Sequence, residues 1–93
     1  MKEYYILSLK WLKGNHYVWW RPDDKGYTLD LNDAGIYTEE RINSQSLYYS
    51  NTSTMPVPVD LVRQGQLQLV SVADSDNYKL FGIEEHLMTA REY

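Results

Sequence analysis

Lys10, Tyr17, Trp19 and Arg21 place two cations and two flat aromatic rings within a dozen residues of each other. Arginine carries a planar fork of donors that matches phosphate. A Trp or Tyr face stacks on a nucleobase for about 1–3 kcal/mol per base. If these four side chains share one face of a sheet, they make a site for a planar, anionic ligand. Tyr27 is a further candidate stacking group, and the Tyr48-Tyr49 loop a candidate lid over the site.

The element that would position them is an N-terminal β-hairpin. Tyr4 to Lys13 is an apolar-rich run, Gly14-Asn15 is a two-residue turn signal, and His16 to Arg21 is a second run stopped by Pro22. A Gly-first loop of two residues suits a type II′ turn, whose twist matches that of paired strands. The turn predicts Lys13 opposite His16, Trp11 opposite Val18, Leu9 opposite Trp20 and Ser8 opposite Arg21. Because side chains alternate across a strand, Tyr5, Leu7, Leu9, Trp11, Val18 and Trp20 should face the core. Ser8, Lys10, Leu12, Tyr17, Trp19 and Arg21 should face outward. A one-residue slip would exchange the two sets. The competing structural reading covers Trp19 with the chain's own loops, and Lys10 and Arg21 lie along it.

Ninety-three residues make a single small domain, 1–93, with room for one core. The aromatic residues are almost all tyrosine (nine) and tryptophan (three), which bury large area yet keep a polar tip. That favours half-exposed sites and interfaces, and a homo-oligomer is expected. The net charge of −4 argues against direct nucleic-acid binding and against anionic membranes, both of which need a basic surface. Cysteine is absent, which excludes disulfides, thiol catalysis and Cys-based zinc sites. The N-terminus lacks the long apolar stretch of a signal peptide, and no 18-residue apolar run is present. A cytoplasmic location is expected.

Along the rest of the chain, Asp23 to Gly26 is turn chemistry and Tyr27 to Leu31 alternates as a third strand. Asn32 to Gly35 is a further turn. Thr38 is placed to N-cap a short helix over Glu39–Ile42, although Arg41 stands where a capping box needs Glu or Gln. Residues 43–54 read as a polar loop anchored by Leu47-Tyr48-Tyr49. The prolines make Met55 to Val59 extended but bar it from a central strand. Asp60 to Gln64 predicts one helical turn ended by Gly65, and Gln66 to Val72 alternates as a strand. A C-terminal helix begins near residue 83. The sum is an α+β domain, with a small antiparallel sheet of three to four strands and one or two short helices.

No other motif carries chemistry. Asp74-Ser75-Asp76-Asn77 opens like a calcium loop, but Lys79 occupies the position that requires glycine, so a polar loop is the reading. Glu85-His86 lacks a second histidine four residues away and reads as a solvated helix face; His16 reads as exposed. Asn51-Thr52-Ser53 matches a glycosylation acceptor, of no use without secretion. There is no nucleophile elbow, P-loop or dinucleotide fingerprint. No catalytic residue, metal ligand or cofactor is expected, and the protein is read as no enzyme.

Ser8-Leu9-Lys10, Trp20-Arg21-Pro22, Gly26-Tyr27, Ala34-Gly35, Tyr37-Thr38-Glu39-Glu40, Tyr48-Tyr49 and the Pro56 to Val59 strand follow one another over residues 4–60. In that order they resemble a loose group of small proteins encoded by phages and prophages. The resemblance implies a mobile element, where small non-enzymatic proteins often counter host defence. Two expectations follow: sequestration of a nucleotide-derived small molecule by Lys10, Tyr17, Trp19, Arg21, Tyr27, Tyr48 and Tyr49, or inhibition of a host defence protein such as a nuclease through the same surface. An accessory phage protein with no ligand is the third.

Overall fold

A computed structural model describes residues 2–13, 16–66 and 81–91. The fold is α+β: a curled antiparallel sheet with short helices. Its strands are β1 (Glu3–Lys13), β2 (His16–Trp20), β3 (Tyr27–Thr28), β4 (Tyr37–Thr38) and β5 (Thr54–Pro58). The helices are α1 (Glu39–Ser44), α2 (Ser46–Tyr49), α3 (Val59–Gln66) and α4 (Ile83–Thr89), with a 3-10 turn over Pro22–Asp24. Among the described residues no helix is long and apolar enough to cross a membrane.

β1 is the central strand. Leu7 and Ser8 pair with Trp19 and Val18 of β2 and also with Met55 and Thr54 of β5, so β2 and β5 flank it on opposite edges. Pro56 and Pro58 oppose Ile6 and Tyr4. Proline has no N–H to give, so these two alternate positions turn their nitrogens away from β1, and Met55 and Val57 supply the ladder donors. The missing donors thus fall on the outer edge of β5, where they discourage pairing with another chain.

The hairpin register changes partway along. Lys13 pairs with His16 as the turn predicts, and Leu12 with Tyr17, but next come Ser8 with Val18 and Leu7 with Trp19. Leu9, Lys10 and Trp11 form a bulge with no partner in β2. An odd number of extra residues reverses the parity of every pair beyond it. Trp11–Val18, Leu9–Trp20 and Ser8–Arg21 are therefore not partners. Tyr17 and Trp19 join Tyr5 and Leu7, and Trp20 is carried to the other face.

Both faces are covered. Tyr5, Leu7, Tyr17 and Trp19 pack with Met55, Val57, Val59, Val62, Phe81 and Ile83. Ile6 and Trp20 pack with Tyr37, Ile42 and Tyr49 on the opposite face. The outward cation-aromatic face expected for Tyr17 and Trp19 is thus a core.

Several other expectations are corrected. The third strand stops at Thr28, because Asp30 N–H turns back to the Thr28 hydroxyl at 3.0 Å and Asn32 N–H to the Asp30 carboxylate at 2.9 Å. Residues 43–54 are not one loop: α1 runs to Ser44 and α2 follows at once. Asn51 is 2% exposed, and its Nδ2 donates to the carbonyls of Leu47 and Tyr48 at 2.9 and 3.2 Å. It caps α2 from within, a role that glycosylation would destroy. Helix α3 passes through Gly65. Thr38 does cap α1, its Oγ1 accepting from Arg41 N–H at 3.2 Å. α4 begins at Ile83 as the periodicity predicts. The strand expected over 66–72 loses Gln66 to α3; its remainder, the Asp74–Asn77 loop and the Gly14-Asn15 turn lie outside the described residues.

Gly35 sits where a strand end, a turn and a side chain converge. Its N–H donates to Trp20 carbonyl at 2.9 Å. A Cβ there would lie 2.7 Å from Pro22 Cα, 2.8 Å from Pro22 N and 2.9 Å from Tyr37 Cε1. Backbone atoms cannot swing aside as a side-chain tip can. Gly35→Ala is expected to cost about 1–3 kcal/mol, the range of an overpacked core, and denaturant unfolding would show it. Wild-type stability would mean that this approach is looser than described.

Candidate functional site

The turn after β2 is strained and heavily tethered. Asp23 and Asp24 both have positive φ, 57° and 60°, a left-handed conformation that costs a non-glycine residue about 1 kcal/mol or more. Aspartate tolerates it better than most, and several contacts hold it. Tyr37 Oη donates to Arg21 carbonyl at 2.6 Å and accepts from Asp24 N–H at 2.9 Å. Arg41 reaches Asp23 at 3.1 Å and Asp24 at 3.4 Å. Its Nε donates to Tyr49 Oη at 3.2 Å, and that hydroxyl in turn lies 3.2 Å from both Asp24 carboxylate oxygens. The guanidinium also stands 5.0 Å over the Tyr37 ring. Bonds to Tyr49 and Asp23 hold Arg41 well above the ordinary arginine pKa, so its charge is fixed.

Each tether comes from a different element. Tyr37 lies in β4, Arg41 one turn into α1, and Tyr49 at the end of α2. Arg41, an apparent flaw in a capping box, is the residue that ties α1 to the acidic turn. The sequence signal was a pair of acids in one turn and a lone cation in the first turn of the next helix. Nothing local joined them.

Burial raises the Tyr37 hydroxyl to about 12, against an ordinary value of 10.0. The raised value means that the folded state holds the proton more tightly than the unfolded chain does. The associated stability is complete below pH 10 and is lost between about pH 10 and 12. Tyr37→Phe should remove this part of the alkaline loss. It should also cost about 1–3 kcal/mol at neutral pH by stranding its two partners. Unfolding curves at neutral and alkaline pH for both proteins would measure the two effects. An unchanged alkaline slope would assign the loss to other tyrosines.

Beside the tethered turn lies an open recess of about 190 Å³, lined by Trp20, Asp24, Gly26, Tyr27 and Tyr48. Trp20 and Tyr27 are direct cross-strand partners; their rings stand 6.4 Å apart at 87°. Tyr48 meets Trp20 at 5.5 Å and 67°. Trp20 is the buried floor, Tyr48 a half-buried wall, and Tyr27 a wall that remains 51% exposed. Gly26, at φ 100°, lets the chain double back so that its carbonyl accepts from Arg21 N–H at 2.8 Å. Arg21 is exposed, and its Nε donates to Tyr27 carbonyl at 3.1 Å. Among the described residues it makes no ion pair.

The residues predicted to share a site are thus divided. Tyr27 and Tyr48 come together at the recess; Arg21 does not line it but donates to the Tyr27 carbonyl, and Tyr49 packs with Trp20 as a buried tether, not a lid. Tyr17 and Trp19 are on the opposite face of the sheet, 5% and 0% exposed. Trp19 Nε1 has no hydrogen-bond partner among the described residues. Lys10 lies in the bulge, and its side chain is outside the described residues. Trp20, Asp24 and Arg41 are the members that sequence reasoning missed.

His86 is not on a solvated face. Its Nε2 lies 2.8 Å from Asn51 carbonyl and 3.1 Å from Thr54 carbonyl. Both partners only accept, so Nε2 carries the proton and the ring staples α4 to the start of β5. Among the described residues, no three or more His, Cys, Asp or Glu side chains gather as a metal set. Comparison of the chain with protein families, with curated proteins and with solved structures finds no match.

Proposed function

We propose that the protein is a non-enzymatic binding module that holds a nucleotide-derived small molecule in the Trp20–Tyr27–Tyr48 recess. The observation that carries this reading is the half-exposed Tyr27 ring standing at 87° to a buried Trp20 floor. An aromatic residue half open to solvent, next to an exposed arginine that makes no ion pair among the described residues, is suited to stack a base and meet its phosphate. The tethered Asp23-Asp24 turn keeps the recess in shape before a ligand arrives, which lowers the ordering cost of binding.

The resemblance to small phage proteins supports the same place. Of the segments that carry it, Trp20, Gly26, Tyr27 and Tyr48 line the recess, and Tyr37 and Tyr49 pack with Trp20 behind it. In a mobile element such a module would sequester a host defence signal. Action in the host cytoplasm, and a homo-oligomer whose second copy closes the open side of the recess, belong to this reading. The alternative is an inhibitor of a host defence protein, with Tyr27 and Arg21 as hot-spot residues of the common types.

Native mass spectrometry of protein from its own host, with a thermal-shift panel of nucleotides, tests the choice. A released nucleotide-sized species or a shift with one nucleotide class supports the binding module. An apo protein that captures a host protein, with no response to nucleotides, replaces it with the inhibitor.

A further inference from the structure

We propose that a second recess, between α2 and the end of α4, binds the phosphate monoester of a small organic molecule. It holds about 360 Å³ and shares no residue with the Trp20 recess. Ser46, Leu47 and Ser50 line it from α2 and the residue that ends that helix. His86, Thr89, Ala90 and Arg91 line it from α4 and the chain just beyond. The two sides are laced together. Asn51 Nδ2 donates to the Leu47 and Tyr48 carbonyls, and the Asn51 carbonyl accepts from His86 Nε2 at 2.8 Å. Thr52 N–H donates to the Arg91 carbonyl at 3.0 Å. These bonds shape the recess before a ligand arrives, which lowers the ordering cost of binding.

In a chain of net charge −4, no carboxylate lines this recess. His86 Nε2 is spent on two carbonyls, and the Thr89 hydroxyl donates back to its own helix. That leaves Arg91, Ser46 and Ser50. Among the described residues Arg91 makes no ion pair, and neither serine hydroxyl makes a hydrogen bond. Ser46 and Ser50 are four residues apart, the spacing that brings two side chains to one helix face. The C-terminal end of α4 adds a partial negative charge of at most about half a unit, which the full charge of Arg91 outweighs. Donors on two sides suit a phosphoryl group, whose three outer oxygens all accept, better than a carboxylate, which the arginine fork alone would satisfy. Leu47, 45% exposed, and Ala90 supply an apolar wall for the carbon skeleton of the ester.

The test is nitrogen–proton correlation spectroscopy during titration with phenyl phosphate and with inorganic phosphate, at constant ionic strength. Phenyl phosphate should move the amides of Ser46, Ser50 and Arg91 together and saturate, and inorganic phosphate should move the same amides at lower affinity. Arg91→Gln alters an exposed side chain and should weaken phenyl phosphate by roughly 10- to 150-fold, the range for hydrogen bonds to a charged group. Ser46→Ala combined with Ser50→Ala should weaken it as well. Equal affinity for the two phosphates would overturn the monoester assignment. Unchanged affinity in Arg91→Gln, no saturable shift, or shifts centred on Trp20 and Tyr27 would overturn the site itself. Because the two recesses share no residue, failure here leaves the reading of the Trp20 recess standing.

Discussion

Trp19→Ala is expected to destabilise the fold by about 3–5 kcal/mol, the usual cost of deleting a large aromatic side chain from a core. Trp19 is fully buried and meets three other rings edge-on or nearly so: Tyr5 at 5.8 Å, Tyr17 at 6.1 Å and Phe81 at 6.2 Å. These partners come from β1, β2 and the segment leading into α4, so one deletion loosens the sheet from the C-terminal helix. A domain of this size commands only about 5–10 kcal/mol in total, and the variant should be partly unfolded at 25 °C. Chemical denaturation followed by circular dichroism would measure it. A loss below about 1 kcal/mol would return Trp19 to the surface role that simple alternation gave it.

Tyr27→Ala should do the opposite, leaving stability nearly intact and removing binding. Tyr27 is half exposed, and its cross-strand contact with Trp20 is worth only about 0.2–1 kcal/mol to the sheet. Its backbone carbonyl, which receives Arg21 Nε, survives the substitution. Loss of one stacking face should weaken a nucleotide by about 1–3 kcal/mol, or roughly 5- to 150-fold. Calorimetry with the tightest ligand of the panel would show it. Unchanged affinity, with a melting curve like that of wild type, would place the ligand elsewhere.

These two residues also show what the sequence could disclose. Local chemistry was readable: Thr38 caps α1, and α4 starts where the apolar spacing says it should. The hairpin was readable as far as its own turn dictates, through the Lys13–His16 pair. Beyond that pair, parity depended on whether Leu9, Lys10 and Trp11 continue the ladder or bulge from it. Their pattern of apolar and polar residues serves either, because Leu9 can still pack against the Trp19 cluster from within the bulge. The fold class survived that ambiguity and the site did not. Simple alternation set Trp20 on the face of Tyr5 and Leu7, whereas the bulge carries it to the other. Arg41 and Tyr49 act on Asp24 across 17 and 25 residues of chain, and no short motif announces a contact of that range.

The most direct test of the recess as a ligand site is nitrogen–proton correlation spectroscopy of the labelled protein during titration with the nucleotide of the panel that raises its melting temperature most. The indole N–H of Trp20 and the amides of Gly26 and Tyr27 should shift together and saturate at one affinity. The indole N–H of Trp19, across the sheet, should stay in place. Shifts centred on Trp19 and Tyr17, or spectra unmoved by any nucleotide, would contradict a binding site between Trp20, Tyr27 and Tyr48.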